Sequence, residues 1–260
     1  LITGVFLLLL MGIYFMKNRN LNNQEMNKKN ILRTALYADI ATFHFSSCNK
    51  GSYVNSSYVI PWIFEGLMRR GEHDSPELAI AKAVDISRDQ KKYTFYLRDA
   101  KWSDGVEITA YDFEYAWKKL IDPTSKSVTS VPELFYPIKN VRHYLSGQCD
   151  FEEVGIHIID DKTLTLELEY PAHYFLEVMC SPILFPAPKH IAEKDSKWAD
   201  KPGFVCNGPF MMKSRQINSE IILSKNPDYW DSEHVYLDGI DVFIAQDHQT
   251  VLNLFEKGEL

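Results

Sequence analysis

The chain is short of the residues that most often announce chemistry. It has only four cysteines in 260 residues, Cys48, Cys149, Cys180 and Cys206. No two are spaced as C-x-x-C, which excludes zinc-ribbon and thioredoxin-type sites, while free thiols and disulfides both stay open. His44 and Cys48 stand four positions apart, but the other histidines are scattered, so no metal and no cofactor is expected. There is no G-x-S-x-G, no G-x-x-x-x-G-K-[ST] and no H-E-x-x-H, which removes the common hydrolase, nucleotide-phosphate and zinc-protease readings. Adjacent carboxylates such as Glu152-Glu153 and Asp160-Asp161 read as solvated turns, not as the facing pair a glycosidase needs. The chain is therefore read as a non-enzyme. Basic residues are also scarce. With 28 Lys and Arg against 35 Asp and Glu, the formal charge of −7 argues against general affinity for nucleic acid or anionic membrane.

What is present fits a globular protein of one or two domains, at 45% hydrophobic and 24% charged. Aromatic residues make up 13% of the chain, which suits either a tyrosine-rich core or a cleft lined with amphipathic rings. Residues 1–20 form a separate object: Leu1 to Met16 is almost wholly apolar and Lys17-Asn18-Arg19-Asn20 closes it. It is shorter than the roughly 20 residues of a spanning helix, so it reads as a signal-peptide apolar region or an anchor remnant. Export is the expectation. No initiator Met or charged region precedes it, which suggests a start further upstream, and no cysteine follows it to support a lipid anchor. Residues 21–30 are polar and read as a linker.

The clearest local structure lies between Tyr93 and Pro123. Tyr93, Phe95 and Leu97 alternate with Thr94, Tyr96 and Arg98, the period of a strand with one buried face. Ser103-Asp104-Gly105 turns the chain, and Thr109 three residues before Asp112 sets up a capping box. Phe113, Ala116, Trp117 and Leu120 then mark one helix face, and Asp122-Pro123 stops it. Further on, Leu164, Leu166 and Leu168 share a strand face after the Asp160-Asp161-Lys162 turn. Pro171 is read as a first-turn proline for a short helix carrying Phe175, Val178 and Met179 inward. Ser181 to Lys189, with its three prolines, is expected to cross the molecule extended. Ile221 to Leu223 and Ile240 to Ile244 read as strands, and Val251 to Phe255 as helix. The class is mixed α/β, or α+β.

The order of these residues resembles the signature of the bacterial extracytoplasmic solute-binding proteins of the peptide and nickel class, the receptors of peptide ABC importers. Its elements are Phe95-Tyr96-Leu97-Arg98, Lys101-Trp102-Ser103-Asp104-Gly105 and Thr109-Ala110-Tyr111-Asp112-Phe113 through Trp117. Phe64-Glu65-Gly66-Leu67 precedes them. Asp161-Lys162-Thr163-Leu164, Pro186-Ala187-Pro188-Lys189, Cys206-Asn207-Gly208-Pro209-Phe210 and Asn226-Pro227-Asp228-Tyr229-Trp230 follow. The likeness runs over residues 31–260 and is strongest to the oligopeptide-binding members.

The resemblance implies a periplasmic-binding-protein-like, two-lobed fold of which the first lobe and its insert are present. The first lobe would take residues 31–60 and 155–250, the smaller inserted domain residues 61–154, and residues 251–260 would begin the crossover to a second lobe. Family members continue for about as long again, so the chain is expected to be truncated or split. The implied function is capture of an oligopeptide by main-chain hydrogen bonding in the cleft. Delivery would be to ABC permease subunits driven by a separate ATPase, in the periplasm or at the outer face of the cytoplasmic membrane. Membrane contact would come only through the N-terminal segment or the permease. Alignment from Phe64-Glu65-Gly66-Leu67 places the peptide contacts at Ser52, Tyr53 and Val54, where an ordinary Gly/Ser/Asn loop is the plainer reading. Asn207 and Gly208 are the next candidates, against a simple tight turn. A tyrosine that relatives carry near Val128-Thr129 is absent. Other ligands of the same family (a nickel chelate, haem, a cell-wall peptide) stay open, as does a non-transport interaction protein or an inactive fragment.

Overall fold

The computed structural model describes residues 29–40, 42–43, 53–124 and 132–260. Among them the strands are β1 Ile31–Leu36, β2 Met68–Arg70, β3 Pro76–Leu78, β4 Ala81–Ile86, β5 Lys92–Leu97, β6 Ile156–Asp160, β7 Thr163–Glu167, β8 Phe210–Gln216, β9 Glu220–Lys225 and β10 Gly239–Ile244. The helices are α1 Tyr53–Ile63, α2 Ala110–Leu120, α3 Pro132–Phe135, α4 Val141–Leu145, α5 Phe175–Val178, α6 Lys189–Ala192 and α7 His248–Glu256. The mixed class expected from the sequence is what the chain adopts.

Two four-stranded sheets organise these elements, in the orders β1-β10-β9-β8 and β4-β5-β7-β6, with β2 and β3 forming a small ribbon between them in the chain. In the first sheet β1 runs parallel to β10, and the rest is antiparallel. Gly239 is required where β10 meets β9, since a Cβ there would stand 2.5 Å from the Leu223 carbonyl oxygen. In the second sheet Phe95 pairs with Leu164 and Tyr93 with Leu166, so the apolar faces read from alternation meet across the ladder. The expected domain boundary at 154/155 falls inside this sheet. β6 and β7 pair with β5 and not with the first sheet, because the buried Leu164 and Leu166 complete the face of Phe95.

Helix α2 covers that face. Phe113, Ala116, Trp117 and Leu120 are buried, as their spacing requires, and the Asp112 carboxylate accepts the Thr109 amide at 2.8 Å to close the capping box. Burying a phenylalanine such as Phe113 stabilises the fold by about 2–3 kcal/mol. Asp112 does more than cap. Its other oxygen accepts the Lys189 amide at 3.0 Å, and Trp102 Nε1 approaches the oxygen that caps Thr109 at 3.4 Å. Burial raises its pKa although those bonds act in the opposite direction.

Two local expectations fail. Pro171 is exposed and lies four residues ahead of α5, whose flanking Phe175 and Met179 are buried while Val178 is only half-buried. Ser181 to Lys189 is not extended throughout: Pro182 opens a tight 3-10 turn over Pro182–Leu184, because its fixed φ suits the first position of a helical turn. The core nevertheless closes there, with Trp117 Nε1 donating to the Leu184 carbonyl at 2.8 Å. Buried apolar residues of both sheets, α1 and α2 join in one continuous core.

Candidate functional site

The motif elements that are far apart in the chain meet at Glu65. Helix α1 ends at Ile63, and the carboxylate two residues later sits among apolar neighbours, only 5% exposed. A buried charge must be paired or it costs several kcal/mol, on the order of the ionic desolvation penalty. Tyr229 Oη donates to Glu65 Oε1 at 2.6 Å and Trp230 Nε1 to Oε2 at 2.5 Å. Arg69 Nη1 lies 3.4 Å from Oε1 and 3.2 Å from Asp231 Oδ2, so one guanidinium bridges two carboxylates. Arg98 stacks on the Trp230 ring at 3.5 Å from its centroid, while its Nε donates to the Ala79 carbonyl.

Electrostatics follow from that packing. Burial pushes the Glu65 pKa above its ordinary value, against the bonds from Trp230 and Tyr229 and the charge of Arg69. Burial and then the Glu65 charge hold Tyr229 firmly protonated. Burial would lower Arg69, but Glu65, Tyr229 and Asp231 together outweigh it and the net direction is up. Asp231 is likewise pushed up by burial and brought below its ordinary value by bonds from His234 and Arg69.

Asn207 and Gly208, expected as peptide contacts, belong to the same node. Asn207 Oδ1 accepts the Glu65 amide at 3.1 Å and its Nδ2 donates to the Glu65 carbonyl at 2.9 Å. Gly208 N donates to the Ile63 carbonyl at 2.8 Å, and a Cβ on it would lie 2.4 Å from the Ile63 carbonyl carbon. Both residues are buried, and the Asn207 side chain and the Gly208 amide serve the chain that leaves α1. Asn226 Nδ2 donates to the Gly208 carbonyl at 2.9 Å, and Ser103 of the W-S-D-G element exchanges bonds with Cys206. Tyr53 and Val54 open helix α1, so their backbone is helical where strand-like pairing was expected. Ser52, like His44, Cys48 and Val128-Thr129, lies outside the described residues.

Sequence reasoning named the motifs but missed Glu65, Arg69, Tyr229 and Trp230 as one unit. The available signal was a glutamate flanked by Ile63-Phe64 and by Leu67-Met68, a charge whose apolar setting demands a partner.

Beside this node lies an open cavity of about 520 Å³. Ser57 and Pro61 of α1, Phe64, Phe185 and the Arg69-Arg70 pair are among its lining residues. Cys180 on its wall has its thiol pushed up to about 11 by burial, and Cys206 in the node is pushed up to about 12, so both are neutral thiols. Cys149, Cys180 and Cys206 are free. Among the described residues no group of three or more His, Cys, Asp or Glu is placed to hold a metal, and no helix is long and apolar enough to cross a membrane.

Comparison with known proteins agrees with the geometry. The profile of the bacterial extracellular solute-binding proteins, family 5 Middle, matches residues 75–260. The oligopeptide-binding protein OppA of Bacillus subtilis is 38% identical over 245 residues, covering 92% of this chain and 44% of that protein. Among solved structures, the substrate-binding domain of an oligopeptide ABC transporter from Bacillus anthracis superposes with a TM-score of 0.83 at 33% identity, over 90% of this chain and 45% of that one. Listeria monocytogenes OppA bound to peptide gives 0.82 at 31% identity, over 90% and 46%. The chain thus spans a little under half the length of these relatives.

Proposed function

From the premise that this chain belongs to the bacterial extracellular solute-binding proteins, family 5, we propose that it captures oligopeptides outside the cytoplasm for an ABC importer. Permease subunits would receive the peptide, and a separate polypeptide would hydrolyse ATP. The observation that carries this reading is the superposition over 90% of the chain on the substrate-binding domain of an oligopeptide transporter. A peptide main chain offers amides and carbonyls in fixed alternation, so a receptor indifferent to side chains grips the backbone and leaves hydrated room around it. Ser52 to Val54 supply that grip in this reading, with the first-turn amides of α1, which have no partner inside the helix, as donors. The Glu65 node anchors the other end of α1 and so sets where those amides point. The chain supplies one wall of the cleft, the first lobe and its insert, and relatives carry the remainder.

Isothermal titration of the full chain with a pool of tri- to pentapeptides, on protein shown to be folded by circular dichroism, tests the proposal. Saturable heat supports capture by this chain. A folded chain that takes up no peptide overturns it for the chain on its own.

A further inference from the structure

The cavity beside the Glu65 node carries two charges that the node does not use. Glu65, Arg69 and Tyr229 satisfy one another and have little left to offer a solute. Arg70 and Glu177 also line the cavity, and they differ. Arg70 Nη1 donates to the Asp74 carbonyl at 2.9 Å, and its Nε lies 3.6 Å from the Asp74 carboxylate, a side chain 82% exposed. Such an exposed pair is weak and screened, and it leaves other guanidinium donors for a ligand. The Glu177 carboxylate has no hydrogen-bond or ion-pair partner among the described residues. Both residues line the same cavity, and Cys180 is part of its wall, so a base and an acid face one space. Pro61, Phe64, Pro182 and Phe185 line the same cavity and give it an apolar wall. The volume of about 520 Å³ lies inside the roughly 300–1,000 Å³ of small-molecule sites.

We propose that this cavity binds an amino-acid-sized zwitterion with an apolar side chain. Its carboxylate pairs with Arg70, its ammonium with Glu177, and its side chain lies on the wall of Pro61, Phe64, Pro182 and Phe185. The cavity is distinct from the Ser52 to Val54 segment proposed for peptide backbones, and the inference does not depend on that reading.

The test is titration of the full chain at neutral pH with L-phenylalanine, N-acetyl-L-phenylalanine and L-phenylalaninamide. The free amino acid gives saturable heat, and each derivative binds about tenfold more weakly, because each lacks one charge-assisted contact. In R70Q the amino acid and its amide bind alike. In E177Q the amino acid and its N-acetyl form bind alike. A merely structural role for either residue would not produce that pairing. No heat with L-phenylalanine, or equal affinity for all three compounds, overturns the proposal, and the compounds alone decide this even if a variant does not fold. Displacement of L-phenylalanine by a saturating pentapeptide overturns the separate site. Phenylalanine binding without any peptide binding leaves this site standing and removes the peptide reading.

Discussion

Glu65 and Trp230, 165 positions apart in the chain, are joined by a 2.5 Å hydrogen bond from the indole Nε1 to the carboxylate. That one contact ties the end of α1 to the segment that leads from β9 into β10. Removing the carboxylate in E65A strands the Tyr229 hydroxyl and the Trp230 N–H without their buried acceptor. A loss of about 3 kcal/mol is expected, which lowers the melting temperature by about 6–12 °C for a chain of this size. Calorimetry or urea unfolding reads it directly, and a shift of under about 1 kcal/mol would show that the node is not a stabilising centre.

The same carboxylate sets a pH signature. Because burial raises its folded pKa above the ordinary 4.5, the folded chain holds the Glu65 proton more tightly than the unfolded chain does. The stabilisation by that proton is full below the unfolded value and is lost as pH rises through the folded value. Stability of the wild type minus that of E65Q, followed by urea unfolding from about pH 4 to about pH 8, therefore falls with rising pH. A flat or rising difference contradicts the burial of the charge.

Gly208 has no room for a side chain. G208A places a methyl against the Ile63 backbone, which cannot swing aside as a flexible side chain would. A cost of about 3 kcal/mol is expected, mostly from strain. Peptide binding, where measured at a temperature at which the variant is folded, should persist, since a Cβ at Gly208 would point at the Ile63 backbone. Selective loss of binding with unchanged stability would mark it as a peptide contact.

The capping box gives a milder test. T109A removes the N-cap oxygen of α2 and should cost about 1 kcal/mol. Denaturant unfolding with an unchanged m-value checks it.

Thiol accessibility should follow burial. With iodoacetamide at mild alkaline pH, Cys149, which is half-buried, labels before Cys180 and Cys206, which are buried with thiols pushed up to about 11 and about 12. Peptide mapping at early times gives the order. Equal rates at the three positions would contradict the packing around Arg69 and Phe210, whose carbonyls the two buried thiols approach.

Much of the fold was legible because several elements announce themselves locally. Tyr93 to Leu97 alternates without a break, and the helix after Thr109 has its cap, its face and its stop within one short stretch. Strand β8 had no such pattern: a bulge between Met212 and Ser214 breaks the alternation, and its partner lies in the next strand. Helix α1 was hidden by Pro61 and by valine, isoleucine and serine, residues that propensity assigns elsewhere. The site was less legible than the fold. Asn207 and Gly208 look like any Asn-Gly turn in one dimension, and only the chain's return to Ile63 and Glu65 shows what their groups serve. Arg70 and Glu177 gave no signal at all, since an exposed arginine and an exposed glutamate are ordinary until a cavity stands between them.

The parallel pairing of β1 with β10 has a kinetic side. Ile31 finds Gly239 as its neighbour, so the edge of the first sheet joins segments separated by nearly the whole described chain. Contacts so distant in sequence form late, because closing so large a loop costs entropy before any ladder bond repays it. Hairpins such as β8-β9 and β6-β7 can assemble early, but β1 must wait for a partner made about 200 residues later. A growing or emerging polypeptide therefore carries an unfinished sheet edge until residue 244 is free, and that edge is where it would pair wrongly with a neighbouring chain.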